Sequence, residues 1–157
     1  NPVPLEFAGR NVLLVDDSIV RGTTSKEIVQ MARDSGAKNV YFASAAPAVR
    51  FPNVYGIDMP TRAELLATGR DEQEIAREIG ADAVIYQDLE ALQDAVRSVN
   101  RELSLFESSC FDGKYITGDI TEAYLDAIEC ARLDLKHKDG SEQMIDLNLN
   151  VAEQNLM

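Results

Sequence analysis

Residues 12–25 (VLLVDDSIVRGTTS) constrain the fold of this chain more than any other stretch. Four apolar residues run directly into two adjacent carboxylates, Asp16 and Asp17, and an Arg-Gly-Thr-Thr loop then leads into a helical pattern. A continuous apolar run of this kind is typical of a strand that is buried on both faces of a parallel sheet. The stretch therefore predicts an α/β fold with a ligand site at the carboxyl end of this strand.

The loop after this strand carries the residue types that bind a phosphate group. Gly22 lets the backbone approach a bound group closely, and the hydroxyls of Thr23, Thr24 and Ser25 lie beside the free amides of a helix N-terminus. Asp16 and Asp17 precede the loop, where carboxylate oxygens can hold sugar hydroxyls or a divalent cation. Because the acidic pair and the loop would contact the two ends of one ligand, we expect a sugar-phosphate site.

The rest of the chain alternates between strand and helix patterns. Further buried strands are predicted at residues 39–46 and 83–86, and their spacing from the first strand predicts parallel crossover units. Helix starts are predicted at four capping boxes: Thr24/Glu27, Thr61/Glu64, Asp71/Glu74 and Asp119/Glu122.

Apolar spacing predicts the buried face of each helix. The first helix buries Ile28, Met31 and Ala32 and ends at Ser35-Gly36. The helix after Asp71 is expected to bury Ile75, Ala76 and Ile79 and to end at Gly80. The next helix is expected to have Leu89, Leu92, Val96 and Val99 on its buried face. The helix after Asp119 is expected to bury Leu125 and Ile128.

The sequence pattern of the last third of the chain predicts a smaller C-terminal extension. Residues 106–117 hold the turn dipeptide Asp112-Gly113 between short aromatic-rich runs, which indicates a β-hairpin. We expect residues 1–100 to belong to the sheet domain and residues 101–157 to form the hairpin plus a helical C-terminal extension. From Lys136 onward the pattern is polar and irregular, so a frayed or partly helical tail is expected.

Three segments resemble the amidophosphoribosyltransferase family. They are residues 12–25, residues 44–60 (SAAPAVRFPNVYGIDMP) and residues 110–120 (CFDGKYITGDI). The first is similar to the phosphoribosylpyrophosphate-binding motif of type I phosphoribosyltransferases, and the likeness extends over about residues 1–133. The resemblance implies the C-terminal half of a parallel-sheet type I phosphoribosyltransferase fold.

The resemblance also implies a reaction. The family transfers glutamine-derived ammonia to phosphoribosylpyrophosphate, which gives phosphoribosylamine and pyrophosphate in the first step of de novo purine nucleotide synthesis. The family's glutaminase domain and its flexible substrate loop would lie upstream of residue 1. The isolated 157 residues are therefore expected to bind ribose phosphate weakly without turnover. A homotetramer and inhibition by purine nucleotides are implied as well.

Family roles carried over to this sequence define the candidate site. Asp16 and Asp17 would hold the ribose hydroxyls and help to position Mg²⁺. The 5-phosphate would be bound by Ser18, Arg21, Gly22, Thr23 and Thr24. No residue is assigned as a general acid or base.

The segment at residues 50–60 is a candidate for a nucleotide-pocket loop. Its Arg50, Tyr55 and Asp58 carry the side chains suited to such contacts. A packed surface loop is the alternative interpretation of the same residues.

Composition restricts partners and cofactors. The chain has 27 acidic and 15 basic residues and a net charge of -12, which disfavours nucleic acid and anionic membranes because those need Lys and Arg. It contains no apolar run of membrane-spanning length and no signal-peptide pattern, so a cytoplasmic protein is expected. An iron–sulfur cluster needs four thiolates and the chain has only Cys110 and Cys130, so no cluster is expected.

Two other functions share features with this sequence. A phosphoribosyltransferase-fold regulator that senses nucleotides would need a basic nucleic-acid surface, which the net charge disfavours. A response-regulator receiver domain also ends its first strand in an acidic pair, and Asp58 imitates its phospho-acceptor. However, no Lys precedes a Pro, and Gly22 with its paired threonines would be unfavourable inside that fold's first helix.

Overall fold

The computed structural model describes residues 3–57 and 59–131, which belong to two compact units divided between residues 116 and 117. Within the first unit the elements are α1 (Pro4–Phe7), β1 (Asn11–Asp16), α2 (Thr23–Asp34), β2 (Asn39–Ser44), a 3₁₀ turn (Arg62–Glu64), α3 (Glu72–Ile79), β3 (Ala83–Tyr86), α4 (Leu89–Val99) and α5 (Ser109–Asp112). In the second unit residues 122–131 are helical. No helix among these residues has the length and apolar character needed to cross a membrane.

The three strands form one parallel sheet in the order β1-β2-β3. The register pairs Val12 with Val40 and Leu14 with Phe42, and Phe42 in turn pairs with Val84. These positions share one face of the sheet, because residues that pair directly across strands point to the same side. The expected α/β class with a parallel sheet is confirmed.

Helices α2 and α3 cover this face and complete the core. Helix α2 contacts β2, α3 contacts β3, and the two helices contact each other. The buried residues of the resulting cluster include Ile19, Val29, Val40, Phe42, Leu66, Ile75, Ile79 and Val84. The core therefore lies between the sheet and two helices on one side.

The opposite face of the sheet is open in the part of the chain that the structure describes. Leu13 and Val15 of β1 are 56% and 71% exposed, and Ile85 of β3 is 52% exposed. Within the described residues, 3–57 and 59–131, the prediction that β1 is buried on both faces is thus wrong. The physical reason is that α2 and α3 both pack on the Phe42 side, which leaves β1 with an alternating burial pattern.

Helix α2 starts and packs differently from the prediction. Gly22 is its N-cap and no side chain caps it, so the predicted capping box at Thr24 is wrong. Its buried residues are Ser25, Val29 and Ala32 rather than Ile28, Met31 and Ala32. The helix does end where expected, at Ser35.

The ends of α3 agree with the prediction. Asp71 accepts a bond from the Glu74 N–H at 2.8 Å, and the Glu74 carboxylate accepts from the Asp71 N–H at 2.9 Å, which completes the capping box. Gly80 ends the helix with φ 78°. Ile75, Ala76 and Ile79 are its buried residues, as the apolar spacing predicts.

The other two predicted capping boxes have different outcomes. The Thr61/Glu64 box is present, but it caps only the 3₁₀ turn Arg62–Glu64 instead of a longer helix. In the second unit, the Thr121 hydroxyl accepts a bond from the Tyr124 N–H at 3.2 Å, so the helix begins after Thr121 rather than at Asp119. Leu125 is buried as predicted.

The hairpin predicted for residues 106–117 is wrong. This segment contains α5 and no strand, and Gly113 ends the helix with φ 71°. A left-handed glycine suits both a hairpin turn and a helix C-terminus, so the dipeptide does not distinguish them. The segment packs in the first unit, where the Cys110 carbonyl accepts the N–H groups of Arg50 and Phe51 at 2.9 and 3.1 Å. The predicted domain boundary after residue 100 stays a prediction.

A polar clamp holds α2 to the amino ends of β2 and β3. The Arg33 guanidinium donates to the Gly80 carbonyl at 2.8 Å and to the Asp82 carboxylate at 3.0 Å. Asp82 also accepts from the Val40 N–H at 2.6 Å. This backbone bond, followed by the hydrogen bond and charge of Arg33, holds the pKa of Asp82 below its ordinary value despite partial desolvation.

We expect Asp82→Asn to lower the free energy of unfolding at pH 7 by about 1 kcal/mol, because it keeps an acceptor for the Val40 N–H but removes the charge that faces Arg33. Because the pKa of Asp82 is lower in the folded than in the unfolded state, its charge stabilises the fold at pH values above the unfolded-state pKa. This stabilisation is lost as the pH falls through the folded-state pKa. The variant and the wild type should therefore converge below about pH 4 in urea unfolding. Asp94→Asn, at an exposed pair with Arg97, is the control and should cost less than about 0.5 kcal/mol.

Candidate functional site

The acidic pair lies at the carboxyl edge of the sheet, tied to the segment that follows β2. The Asp16 carbonyl accepts the Ala45 N–H at 2.9 Å, and the Asp17 carbonyl accepts the Ala46 N–H at 2.8 Å. These bonds extend the β1–β2 ladder by one step beyond the strands. They fix the backbone from which both carboxylates project.

Each carboxylate of the pair is oriented by a neighbouring group. Asp16 Oδ1 accepts the Asp17 N–H at 2.9 Å, and Asp17 Oδ1 accepts the Ser18 hydroxyl at 2.7 Å. One oxygen of each carboxylate is thus engaged, and the other can accept bonds from a ligand. Ser18 donates to Asp17 here, so its hydroxyl is an orienting group for the acidic pair.

The start of α2 has no side-chain cap. Gly22 adopts φ 79° and ψ -7°, no side chain caps the helix, and its first turn contains no acidic residue. The first intrahelical bond runs from the Lys26 N–H to the Gly22 carbonyl at 2.9 Å, which leaves the preceding N–H groups without an intrahelical acceptor. An anion is attracted by these amides and by the positive end of the helix dipole.

A cavity of about 630 Å³ joins the acidic pair to this helix end. Its lining residues are Asp16, Asp17, Ser18, Val20, Arg21, Gly22, Thr23, Thr24, Ser25 and Pro60. All seven residues predicted for the substrate site are among them, so the structure brings that set together. Arg21, Thr23 and Thr24 are exposed, whereas Ser25 is buried.

Sequence reasoning included Ser25 among the hydroxyl donors of the loop and Pro60 in the 50–60 segment, but it missed Val20 as a lining residue. Val20 lies within the motif itself and could have been included from its position alone. Pro60 follows Gly22 by many residues and reaches the cavity only through the tertiary fold. Only the resemblance of residues 44–60 to the family pointed to that segment.

The candidate nucleotide-loop residues lie elsewhere. The Arg50 guanidinium donates to the carbonyls of Ala67 and Arg70, the second at 2.9 Å. The Tyr55 ring packs edge-to-face on the Tyr115 ring, with centroids 6.2 Å apart. Neither residue lines the cavity, and Asp58 lies outside the described residues.

The described residues contain no group of three or more His, Cys, Asp or Glu side chains that could hold a metal ion. Asp16 and Asp17 provide a pair of hard oxygen ligands. Mg²⁺ binds through one or two carboxylates when substrate oxygens and water supply its other ligands. The donor set therefore fits a Mg²⁺ ion that arrives with a phosphorylated substrate.

Two titratable side chains of the first unit are held neutral. Burial raises the pKa of Tyr86, at the carboxyl end of β3, to about 12, with Glu72 adding to the shift and Arg50 opposing it. Burial also raises the pKa of the Cys110 thiol, and the charge of Glu107 adds to that shift. A protonated phenol and thiol provide neither a general base nor a thiolate nucleophile at neutral pH.

Comparison with known proteins gives a consistent result, although no protein-family model matches the chain. The amidophosphoribosyltransferase of Pseudomonas aeruginosa is 60% identical over 134 residues, which cover 85% of this chain and 27% of that protein. The Escherichia coli amidophosphoribosyltransferase is 59% identical over 129 residues, covering 82% and 26%. That of Schizosaccharomyces pombe is 56% identical over 133 residues, covering 85% and 24%.

Solved structures agree with these relatives. Glutamine phosphoribosylpyrophosphate amidotransferase from B. subtilis, complexed with ADP and GMP, matches with a TM-score of 0.62 and 37% identity, over 78% of this chain and 28% of that one. A second structure, described as the allosteric regulatory enzyme of purine biosynthesis, matches with a TM-score of 0.62 and 39% identity over 73% and 25%. This chain spans about a quarter of the length of the relatives it matches. By sequence and by fold, the chain belongs to the amidophosphoribosyltransferase family and corresponds to the C-terminal part of its members.

Proposed function

We propose that this chain supplies the phosphoribosyl-binding part of an amidophosphoribosyltransferase. In the overall reaction, ammonia derived from glutamine displaces pyrophosphate from the anomeric carbon of phosphoribosylpyrophosphate, and phosphoribosylamine is the product. The observation that carries this proposal is the uncapped N-terminus of α2, which shares one cavity with the carboxylates of Asp16 and Asp17. An anion site and a hydroxyl-binding site are thus adjacent, as a ribose phosphate requires.

The 5-phosphate binds at the start of α2 in this proposal. The first-turn N–H groups, the hydroxyls of Thr23 and Thr24 and the Arg21 guanidinium supply its donors, and Gly22 lets the backbone approach closely. The absence of an acidic residue from the first turn of α2 removes a competing internal anion.

The ribose lies next to the acidic pair. The carboxylate oxygens of Asp16 and Asp17 accept bonds from its hydroxyls, while Ser18 and the Asp17 N–H keep the two side chains oriented. The same two residues would hold Mg²⁺, with substrate oxygens and water as its other ligands. When bound, Mg²⁺ neutralises charge on the pyrophosphate oxygens.

The chain contributes to catalysis mainly through placement. Departure of pyrophosphate gives the ribose oxocarbenium character, and fixed donors on the phosphate with carboxylates on the hydroxyls hold the anomeric carbon in position for attack. No residue is assigned as a proton acceptor in this proposal. The ammonia nucleophile needs no deprotonation before it attacks.

The rest of the enzyme supplies the other parts. We assign residues 1–100 to the C-terminal half of the phosphoribosyltransferase domain and residues 101–157 to a C-terminal extension. A glutaminase domain generates the ammonia, and the upstream half of the transferase domain covers the open face of the sheet around Leu13 and Val15. The complete enzyme is then a cytoplasmic homotetramer.

Purine nucleotides are the inhibitors that this site would accept. The B. subtilis relative is described as a complex with ADP and GMP. A nucleoside monophosphate carries the same 5-phosphoribosyl group as the substrate, so it can occupy the same loop. The 50–60 segment, whose Pro60 lines the cavity, is the candidate contact for its base, with Arg50, Tyr55 and Asp58 in that loop.

The Asp16→Asn/Asp17→Asn double variant should weaken ribose 5-phosphate binding about tenfold in the presence of Mg²⁺, because it removes the charges that hold both ligand hydroxyls and the cation. Calorimetric titration with and without Mg²⁺ measures the effect, and the Mg²⁺ dependence should disappear in the variant. Asp34→Asn, at the other end of α2, is the matched control. Unchanged affinity in the double variant would contradict the assigned site.

The isolated 157-residue chain should form no phosphoribosylamine from phosphoribosylpyrophosphate and either glutamine or ammonia. Without the upstream half, no group encloses the pyrophosphate or excludes water. A pyrophosphate-release assay measures turnover, with the longest natural chain that contains this sequence as the positive control. Glutamine-dependent formation of phosphoribosylamine by the isolated chain would refute the proposal that the rest of the enzyme is required for turnover.

A further inference from the structure

The phosphate loop is held from behind by a segment that follows it by about forty residues in sequence. The Leu66 N–H donates to the Val20 carbonyl at 2.8 Å, two residues before Gly22. Leu66 is only 5% exposed and belongs to the same core cluster as Ile19, which anchors the beginning of the loop. The loop backbone is thus attached to the core at Ile19 and at Val20.

The Leu66 side chain also sets the position of Gly22. A Cβ atom on Gly22 would lie 2.6 Å from Leu66 Cδ2 and 3.3 Å from Cγ, so the glycine backbone is in direct contact with this isobutyl group. Leu66 is buried in the core cluster, so its side chain packs between the core and the loop at Gly22.

Glu64 forms an ion pair with Arg21 of the same loop. Its Oε2 accepts the Thr61 N–H at 3.0 Å and the Thr61 hydroxyl at 2.8 Å, which fixes the carboxylate. Its Oε1 lies 3.9 Å from the Arg21 Nε. The capping box of the 3₁₀ turn thereby presents a fixed negative charge to Arg21.

We propose that Leu66 and Glu64 are positioning residues for the phosphate loop: Leu66 fixes the loop backbone at Val20–Gly22, and Glu64 fixes the direction of the Arg21 guanidinium. This inference rests on the proposed function, since it assigns the loop to the 5-phosphate. Neither residue lines the cavity, so both act through residues that do. A bound phosphate requires several donors to converge within hydrogen-bond distance, and a small shift of the loop removes that convergence.

The Leu66 role is tested by comparing Leu66→Val with Ile75→Val in the full-length natural protein that contains this sequence. Both variants delete one methylene from the same core cluster, but only Leu66 contacts Gly22. We expect similar losses in melting temperature. Only Leu66→Val should raise the KM for phosphoribosylpyrophosphate and the Kd for ribose 5-phosphate, by about threefold or more with kcat nearly unchanged, because loop placement contributes to ground-state and transition-state binding alike. Equal KM values in the two variants would overturn the role of Leu66.

The Glu64 role is tested with Glu64→Gln in the wild-type and Arg21→Ala backgrounds. Glutamine retains the acceptor of the capping box, so the 3₁₀ turn is preserved while the charge that faces Arg21 is lost. We expect the Kd for ribose 5-phosphate to rise about two- to fivefold in the wild-type background and to stay constant in the Arg21→Ala background. A tighter Kd in Glu64→Gln, or the same rise in both backgrounds, would overturn the positioning role.

The Asp16→Asn/Asp17→Asn variant, measured in the same assays, distinguishes failure of the positioning role from failure of the proposed phosphoribosyl site. If the acidic-pair variant loses affinity while Leu66→Val and Glu64→Gln do not, the positioning role fails and the phosphoribosyl site stands. If the wild type binds no ribose 5-phosphate, the proposed function and the positioning role fail together.

Discussion

The unpaired N–H groups at the start of α2 are the physical constraint on which this site depends. Every helix begins with such groups, and capping side chains, water or ligands satisfy them. Here the N-cap is a glycine in the left-handed region, and no side chain caps the helix. An uncapped helix end gives up local stability, so the surrounding structure must hold it in place.

Tertiary contacts provide that support. Ile19 is buried in the core, the Asp16 and Asp17 carbonyls are paired to the segment after β2, and Leu66 is bonded to Val20. Together these contacts stabilise an irregular segment that has little secondary structure of its own. The parallel sheet is important for the site because it places the carboxyl ends of β1 and β2 side by side, at the edge where the loop begins.

Several features that depend on neighbours in sequence could be predicted, although the Thr24 capping box and the Asp112-Gly113 hairpin were mispredicted, and features that depend on tertiary packing could not be predicted. The acidic pair, the Gly-Thr loop and both ends of α3 are encoded within a few residues each, and the structure has them where expected. The buried stripe of α2 was mispredicted because the core uses the small Ser25 beside Val29 and Ala32, whereas apolar spacing selected Ile28 and Met31. Long-range contacts have no local sequence signal, so the contact of Leu66 with Val20 and the place of Pro60 in the cavity lining became evident only from the fold.

The Arg33–Asp82 clamp lies at the amino ends of β2 and β3, whereas the cavity lies at the carboxyl ends of β1 and β2. The length of the strands thus separates one set of polar groups that stabilises the sheet from another that lines the cavity. Mutations at the amino edge can change thermal tolerance without reorienting the loop at the start of α2. A lineage can therefore adapt to a new temperature through one edge of the sheet while the cavity at the other edge is preserved.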